Sequence, residues 1–263
     1  MTETIETSGS SATDSSGVAV LDRAFALLAA FGATDDRLSM TELSRRTGLY
    51  KSTVLRLLAA LEHGGFVRKL PDGQYAIGPE PLRLATIYQR SFQVGHVIEP
   101  LLKQLSGACG ETASFYVRHG NTRRIALFRV EPSRAVRASV AVGQEYPIGQ
   151  GASGKVLLAF SSHPAPEHDL VRERLWAVSY GERDPETASV AAPVFAVTGE
   201  LQGALAISGP RARLAQPEAM LEACRQVLEA ARAATLTLGG NGALFAPCLE
   251  RLTLAQFGGA KTD

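Results

Sequence analysis

Residues 38–78 read LSMTELSRRTGLYKSTVLRLLAALEHGGFVRKLPDGQYAIG, and this stretch decides how the N-terminal part of the chain folds. It opens with Ser39-Met40-Thr41-Glu42, a capping-box sequence whose first and last side chains satisfy backbone donors at a helix start. Thr47-Gly48-Leu49 follows, and Gly48 can adopt the positive φ angle that a tight turn between helices needs. The pattern therefore predicts one short helix, a tight turn and a second helix.

The second helix is expected to bury one apolar face. Four apolar residues fall at the spacing i, i+3, i+4 and i+7, which must face a core: Val54, Leu57, Leu58 and Leu61. Gly64-Gly65 ends the helix. Residues 66–70 and 74–77 then flank Pro71-Asp72-Gly73, which is the turn chemistry of a β-hairpin. Two helices, a turn and a hairpin together predict a winged helix-turn-helix.

The open face of this motif carries features of DNA contact. Leu55 lies among polar residues, where a thymine methyl group would suit it. From Ser44 to Tyr75, six basic residues stand against two acidic ones, a local net charge of +4, although the whole chain carries only +1. A local basic surplus is typical of phosphate contact. The residues predicted to contact DNA are Arg45, Tyr50, Lys51, Ser52, Thr53, Leu55, Arg56, Arg68 and Lys69. The alternative is a module that contacts other proteins and binds no nucleic acid.

The same stretch resembles the DNA-binding half of a known protein family. The sequences that carry the resemblance are Gly48-Leu49-Tyr50-Lys51-Ser52-Thr53-Val54, Arg56-Leu57-Leu58, Leu61-Glu62 and Tyr75-Ala76-Ile77-Gly78. They are similar to the IclR (isocitrate lyase regulator) family of bacterial transcription factors, and the resemblance covers most of residues 18–214. It implies a ligand-controlled, sequence-specific regulator, dimeric or a dimer of dimers, that binds a double-stranded DNA operator and a small-molecule effector. Tyr50 departs from the family, which commonly has proline there.

Length and composition bound the remaining possibilities. A chain of 263 residues can form two modest domains, and 45% apolar with 20% charged residues is ordinary for a globular protein. No apolar run reaches the length of a membrane span, and the N-terminus lacks a signal-peptide pattern, so we expect a cytoplasmic protein. Three cysteines, Cys109, Cys224 and Cys248, are too few and too far apart for a disulfide framework or a zinc cluster. We predict no metal and no cofactor.

Five segments are predicted along the chain: a disordered arm (1–17), the winged helix-turn-helix domain (18–78), a linker helix (79–93), an effector-binding domain (94–240) and a C-terminal tail (241–263). In the first helix, Leu21, Phe25 and Leu28 recur at helical spacing and are expected to pack behind the helix-turn-helix. Residues 81–91 read as the connecting helix, with apolar Leu82, Leu84 and Ile87. The resemblance implies that these two helices help to form the dimer.

The pattern changes from Val94 onward. Helices are predicted over 97–109, 155–160 and 217–238, and alternating strands over 112–118, 124–131, 136–142, 189–197 and 201–208. This order describes an α+β domain with an antiparallel sheet. The resemblance implies that it is a GAF-like effector domain. The predicted fold class is therefore an all-α winged helix-turn-helix N-terminal domain plus an α+β, GAF-like effector domain.

Two segments depart from the family's pattern. Residues 161–171, SSHPAPEHDLV, are all that stands where family members usually carry further helical structure, so a lid or an oligomer contact is expected to be missing. Near the C-terminus, residues 249–257 read LERLTLAQF, an apolar segment without an assigned place. It is expected to form a helix packed on its own domain or on a partner subunit.

The glycine-rich stretch at 149–155 imitates several catalytic motifs without satisfying them. It matches GxGxxG, but no βαβ unit surrounds it, and a phosphate-binding loop fails because Val156 stands where Ser or Thr must hold magnesium. Ser153 lacks the spacing of a nucleophile elbow. His163 and His168 lie in a polar segment and are expected to be solvated. We therefore predict no enzyme, and the alternative is a small-molecule-binding enzyme or carrier with a fused helical module.

The same stretch is predicted to begin a helix with small residues, where free N–H groups and the helix dipole suit a carboxylate. The resemblance implies that this turn lines the effector cavity and that later strands complete it, at Ala152, Ser153, Gly154, Ser179, Ser189, Ala206 and Ser208. The expected ligand is a small organic acid, held without a competing negative charge, and Ala206 favours a larger or aromatic one. The alternative is that these small residues only permit close packing.

Overall fold

The computed structural model describes residues 17–32, 34–91, 94–135, 137 and 141–257. The predicted disordered arm, 1–17, therefore lies outside the described residues except for Gly17. The chain groups into two compact units, one up to Tyr88 and one from Gln89 onward. The segment boundaries that we drew from the sequence stay predictions.

The first unit is a winged helix-turn-helix, as predicted. Its elements are α1 (Ala19–Ala29), α2 (Met40–Thr47), α3 (Lys51–His63) and the antiparallel hairpin of β1 (Val67–Lys69) and β2 (Tyr75–Ile77). Helix α4 (Glu80–Ser91) begins in this unit, and its last three residues belong to the second. Gly48 caps α2 with φ at 69°, which supplies the predicted tight turn into α3. Val54, Leu57 and Leu58 of α3 are buried in the core of this unit.

The capping box at α2 forms only by half. The Ser39 hydroxyl accepts the Glu42 N–H at 3.1 Å, as predicted. The Glu42 carboxylate instead accepts hydrogen bonds from the guanidinium groups of Arg45 and Arg46, one turn further along the same helix. A charged donor holds a carboxylate more strongly than a neutral backbone N–H, so the reciprocal bond to Ser39 is given up.

Of the three α1 residues predicted to pack behind the helix-turn-helix, only Leu28 does so. Leu27 is fully buried and Leu28 packs beside it, whereas Leu21 is 48% exposed and Phe25 is 61% exposed. Because α1 is apolar around much of its circumference, helical spacing alone did not select the face that contacts the core. The Leu21–Phe25 face is left open in this unit.

The second unit is the predicted α+β domain. Its helices are α5 (Gly95–Cys109), α6 (Ala152–Ala159), α7 (Asp169–Arg174), α8 (Arg211–Leu214), α9 (Pro217–Thr237) and α10 (Ala246–Glu250), with 3-10 turns at Pro166–His168, Gly242–Phe245 and Leu254–Gln256. Its strands are β3 (Thr112–His119), β4 (Arg123–Val130), β5 (Glu145–Pro147), β6 (Ala177–Tyr180), β7 (Thr187–Phe195) and β8 (Leu201–Pro210). They form one antiparallel sheet in the order β5-β4-β3-β8-β7-β6.

The two faces of this sheet pack against different helices. Alternate residues such as Phe115, Val190 and Leu205 join the large core with α5 and α9. The opposite face, which includes Tyr116 and Ala206, packs against α6. Successive side chains in a strand point to opposite faces, so each strand serves both layers.

Several boundaries differ from the sequence-based ones. Strands β5 and β6 were not predicted because each is only a few residues long. The strand predicted over 136–142 falls mostly outside the described residues. Helix α6 begins at Ala152 rather than Lys155, since the small residues form its first turn. Residues 161–171 are not devoid of helix, because a 3-10 turn and the start of α7 lie there.

The apolar C-terminal segment packs on its own domain. Phe257 is only 2% exposed and stacks on Trp176 with ring centroids 5.1 Å apart. Phe245 is also buried. The three cysteines are free thiols. None of the helices in the described part of the chain is long and apolar enough to cross a bilayer.

We predict that Phe257→Ala destabilises the effector unit by about 3 kcal/mol, because it removes a buried ring from a packed site. Leu254→Ala, three residues away and 42% exposed, is the matched control and should change little. Urea unfolding followed by Trp176 fluorescence measures both. Equal midpoints for the two variants would contradict the packing of this segment.

Candidate DNA-contact surface and effector cavity

The predicted DNA-contact residues lie at the surface of α2, α3 and the hairpin. Tyr50, just before α3, is 85% exposed, and Leu55 is 52% exposed. The other exposed ones are Arg45, Lys51, Ser52, Arg56, Arg68 and Lys69, whereas Thr53 is half-buried. The structure therefore leaves eight of the nine side chains open to a partner.

Two of the basic residues that raised the local charge serve the fold instead. Arg45 forms two hydrogen bonds to Glu42, and Arg46 binds Glu42, Asp35 and the Ala30 carbonyl. Hydrogen bonds from Arg45, which has the larger effect, and from Arg46 lower the pKa of Glu42 to about 2. The charge count from Ser44 to Tyr75 left out Asp35 and Glu42, because both acidic residues come before Ser44 in the sequence.

Four cations remain for phosphate contact. Lys51 and Arg56 on α3 and Arg68 and Lys69 on β1 form no ion pair with any residue that the structure describes. The β1–β2 hairpin, residues 67–77, is the wing. Its acidic residue, Asp72, forms an ion pair with Arg37, whose Nη1 lies 3.1 Å from Asp72 Oδ2. The excess of positive charge therefore lies on α3 and the wing, which are the elements that contact DNA in a winged helix-turn-helix.

The second unit brings the predicted effector positions together in one cavity on the α6 side of the sheet. Six of the seven line it: Ala152, Ser153, Ser179, Ser189, Ala206 and Ser208. Strand register explains why the three serines lie side by side, because Ser179 lies opposite Ser189 and Ser189 lies opposite Ser208. Three hydroxyl-bearing side chains therefore form a row across β6, β7 and β8.

Gly154 is the exception, and packing accounts for it. A Cβ at this position would lie 1.9 Å from the Ile148 carbonyl oxygen and 2.9 Å from an Arg124 guanidinium nitrogen. Only glycine fits so close an approach. The packing interpretation, which the sequence had left as the alternative, thus holds for this residue.

The start of α6 already carries a carboxylate, contrary to our expectation. The Gly151 N–H donates to Glu182 Oε2 at 3.0 Å, and Glu182 also pairs with Lys155. Glu182 comes from the turn between β6 and β7, which the sequence analysis did not place here. The N–H groups of Ala152 and Ser153 have no acceptor among the described residues, so two donors stay available to a ligand.

The most buried charge in the cavity was also not predicted from the sequence. Arg124 is only 3% exposed, and one terminal nitrogen donates to the Pro147 carbonyl while Nε has no hydrogen-bond partner. Its guanidinium lies over Tyr116 and Tyr146, 5.5 and 5.7 Å from the ring centroids. Burial lowers the pKa of Arg124. Alternation along β4 could have revealed it, because apolar Ile125 and Leu127 occupy the opposite face.

A second guanidinium lies on the same aromatic ring. Arg183, half-buried in the β6–β7 turn, stands 4.8 Å from the Tyr146 centroid. Thr187 and Gly151 complete the lining. The cavity encloses about 30 Å³, which is room for about one water molecule. A ligand larger than a water molecule could therefore enter only if side chains at the cavity moved.

A larger cleft, of about 870 Å³, opens at the other end of the sheet. It lies beside Phe160, Ser162 and Pro164, where the chain departs from the family's usual pattern. It contains none of the predicted effector positions.

The described residues include no cluster of three His, Cys, Asp or Glu side chains that could hold a metal ion. His163 is exposed, as predicted. His168 is not fully solvated, because its side chain is 12% exposed beside Glu167.

Comparison with known proteins matches both units. The family model of the IclR helix-turn-helix domain covers residues 20–71. The model of the bacterial transcriptional regulator IclR C-terminal domain covers 86–170 and 164–236. Its two segments meet in the region where the chain departs from the family's usual pattern.

Individual relatives agree with the family models. The regulator BhcR of Paracoccus denitrificans is 30% identical over 251 residues, covering 83% of this chain and 89% of that protein. An IclR regulator structure from Alicyclobacillus acidocaldarius has a TM-score of 0.71 at 26% identity, covering 85% of this chain and 99% of that one. An IclR homologue from Microbacterium hydrocarbonoxydans, complexed with 4-hydroxybenzoate, has a TM-score of 0.69 at 20% identity and covers 83% and 98%.

These matches confirm the predicted family and its function class, a DNA-binding regulator that responds to a ligand rather than an enzyme. The chain belongs to the IclR family of bacterial transcriptional regulators.

Proposed function

We propose that this regulator binds a palindromic operator as a homodimer or a dimer of dimers, and that a small organic acid in the α6 cavity controls that binding. The observation that carries the proposal is the serine row Ser179–Ser189–Ser208 facing free N–H groups at the start of α6. Hydroxyls and N–H groups that converge on one cavity are the donors a carboxylate requires. A regulator of bacterial transcription acts on the chromosome, so the proposal places it in the cytoplasm.

On the DNA side, we assign α3 to base contact. Arg56 lies on its exposed face and forms no ion pair in the described part of the chain, so its guanidinium is free to bridge guanine O6 and N7. Lys51 stands at the first position of α3, nearer the phosphates. Leu55 offers an apolar surface to a thymine methyl group, and Tyr50 offers a ring to the sugar-phosphate backbone.

Self-association is supported by exposed apolar side chains in the first unit. Val18, Val20, Leu21 and Phe25 lie open on or beside α1. Leu82, Leu84 and Ile87 lie open on α4. Apolar residues concentrated on two helices of one small unit favour contact with a second copy. One winged helix also buries too little surface for typical specific affinity, and two-fold symmetry supplies a second half-site.

On the effector side, the Ala152 and Ser153 N–H groups and the Ser153 hydroxyl favour an anion. Ser179, Ser189 and Ser208 add neutral hydrogen bonds. Ala206 makes the adjoining wall more apolar and favours a larger or aromatic acid. The homologue that holds 4-hydroxybenzoate is one case of an aromatic carboxylate bound by this fold.

The first prediction separates base contact from phosphate contact. Arg56→Ala should weaken operator binding by on the order of 1 to 3 kcal/mol and relax specificity at one base pair. Lys51→Ala should weaken all sequences alike and reduce the salt dependence. Binding to a library of single-base operator variants at several salt concentrations measures both. The reverse pattern would exchange the two assignments.

The second prediction concerns the oligomer. Sedimentation should show at least a dimer at micromolar concentration, and selected operators should be pseudo-palindromic. Introducing a buried charge through Phe25→Glu with Leu82→Glu should shift the protein towards monomer, whereas Leu170→Glu, an exposed leucine of the other unit, should not. A wild-type protein that is monomeric both free and on DNA would contradict this proposal.

The third prediction tests the carboxylate at α6. In calorimetry with carboxylic acids and their amides, acids should bind better, and Ser153→Asp should weaken the acids because the added carboxylate repels them. Ser162→Asp, an exposed site outside the cavity, is the matched control. Amides that bind as well as acids, or an unchanged affinity in Ser153→Asp, would show that the carboxylate lies elsewhere.

A further inference from the structure

The effector cavity holds more positive charge than one carboxylate requires. Arg124 and Arg183 both line it, and no acidic side chain is among the described residues that do. Glu182 lies next to it but is paired with Lys155 and with the Gly151 N–H. The cavity therefore contains two guanidinium charges without a carboxylate of their own.

Arg124 is the deeper of the two. Its neighbours are two tyrosine rings and the Pro147 carbonyl, and its Nε–H is left without an acceptor in a buried position. An arginine does not lose its proton in a protein, so it cannot escape the cost of burial by becoming neutral. Leaving a buried charge uncompensated is unfavourable, which is the condition under which a charged ligand gains most from binding. Arg124 also lies beside the first turn of α6, within reach of the carboxylate proposed there.

Arg183 is the second guanidinium close to the Tyr146 ring. Arg183 forms no hydrogen bond and no ion pair with the described residues, and its guanidinium lies 4.8 Å from the centroid of the Tyr146 ring. Burial, with a smaller contribution from the positive charge of Arg183, lowers the pKa of Arg124. Because Arg183 belongs to the turn between β6 and β7, it can move away from Tyr146 without breaking the pairing of those strands.

We propose that the effector is a small dicarboxylic acid, with one carboxylate bound between Arg124 and the start of α6 and the second bound by Arg183. This inference rests on the proposed effector role of the cavity. A dianion would neutralise both guanidinium groups, whereas a monocarboxylate would leave one of them uncompensated. Displacing Arg183 from Tyr146 would also provide part of the room that the closed cavity lacks.

The test compares diacids with their half-amides, which keep the shape and lose one charge. Glutarate with its half-amide, and phthalate with its half-amide, are titrated calorimetrically into wild type, Arg124→Gln, Arg183→Gln and Arg123→Gln. Arg123 neighbours Arg124 on β4 and is exposed outside the cavity, so its variant removes the same charge without touching the site. Thermal unfolding without ligand verifies that each variant is folded.

We expect at least one diacid to bind wild type on the order of tenfold more tightly than its half-amide. Arg183→Gln should abolish that preference, because it should weaken binding of the diacid far more than binding of the half-amide. Arg124→Gln should weaken both compounds, and Arg123→Gln should match wild type.

Equal affinity of diacid and half-amide in wild type would overturn the inference while leaving the carboxylate effector in place. The inference would also be overturned if Arg183→Gln kept the preference for the diacid over the half-amide. It would likewise be overturned if Arg124→Gln bound both compounds as tightly as wild type does. If the corresponding diamides, titrated under the same conditions, bound as well as the acids, the proposal of a carboxylate effector would itself be contradicted. Absence of diacid binding at millimolar concentration would also reject the dicarboxylate. The wild-type comparison decides the question even if Arg124→Gln does not fold.

Discussion

Strand alternation in the six-stranded sheet gives its two faces different cores, and the candidate effector cavity lies within the smaller one, beside α6. Residues that face α5 and α9 are aliphatic or aromatic and form the large core. Their immediate neighbours in sequence face α6, where Ser179, Ser189 and Ser208 replace bulky side chains. The core on one face supplies the burial that stabilises the domain. The other face can therefore hold hydroxyls and a buried arginine.

Local signals allowed the winged helix-turn-helix to be predicted from sequence. The cap at Ser39, the left-handed turn at Gly48 and the stripe Val54, Leu57, Leu58 each depend on residues within one turn of each other. The same locality explains the errors. Helical spacing could not tell which apolar face of α1 is buried. The charge count began at Ser44 and so left out Glu42, which pairs with Arg45 and Arg46.

The effector cavity was predictable only where the family resemblance supplied positions. The serine row came from that resemblance, because Ser179 and Ser208 meet through strand register rather than sequence proximity. Arg124 lines the cavity from β4, and Glu182 lies next to it in the β6–β7 turn, so no local sequence pattern joins the two residues. Gly154 looked like a lining residue, but the approach of the Ile148 carbonyl makes it a packing requirement.

A ligand can control DNA binding only if it binds two conformations of the protein differently. The closed cavity is one such conformation, and a form with Arg183 displaced and the cavity filled would be another. The most direct measurement is the affinity of the full chain for a genomically selected operator, by fluorescence anisotropy, with and without a saturating organic acid identified by calorimetry. The account predicts that the acid changes operator affinity and that Ser153→Asp removes this change without altering affinity in its absence. An acid that fills the cavity and leaves operator affinity unchanged would contradict it.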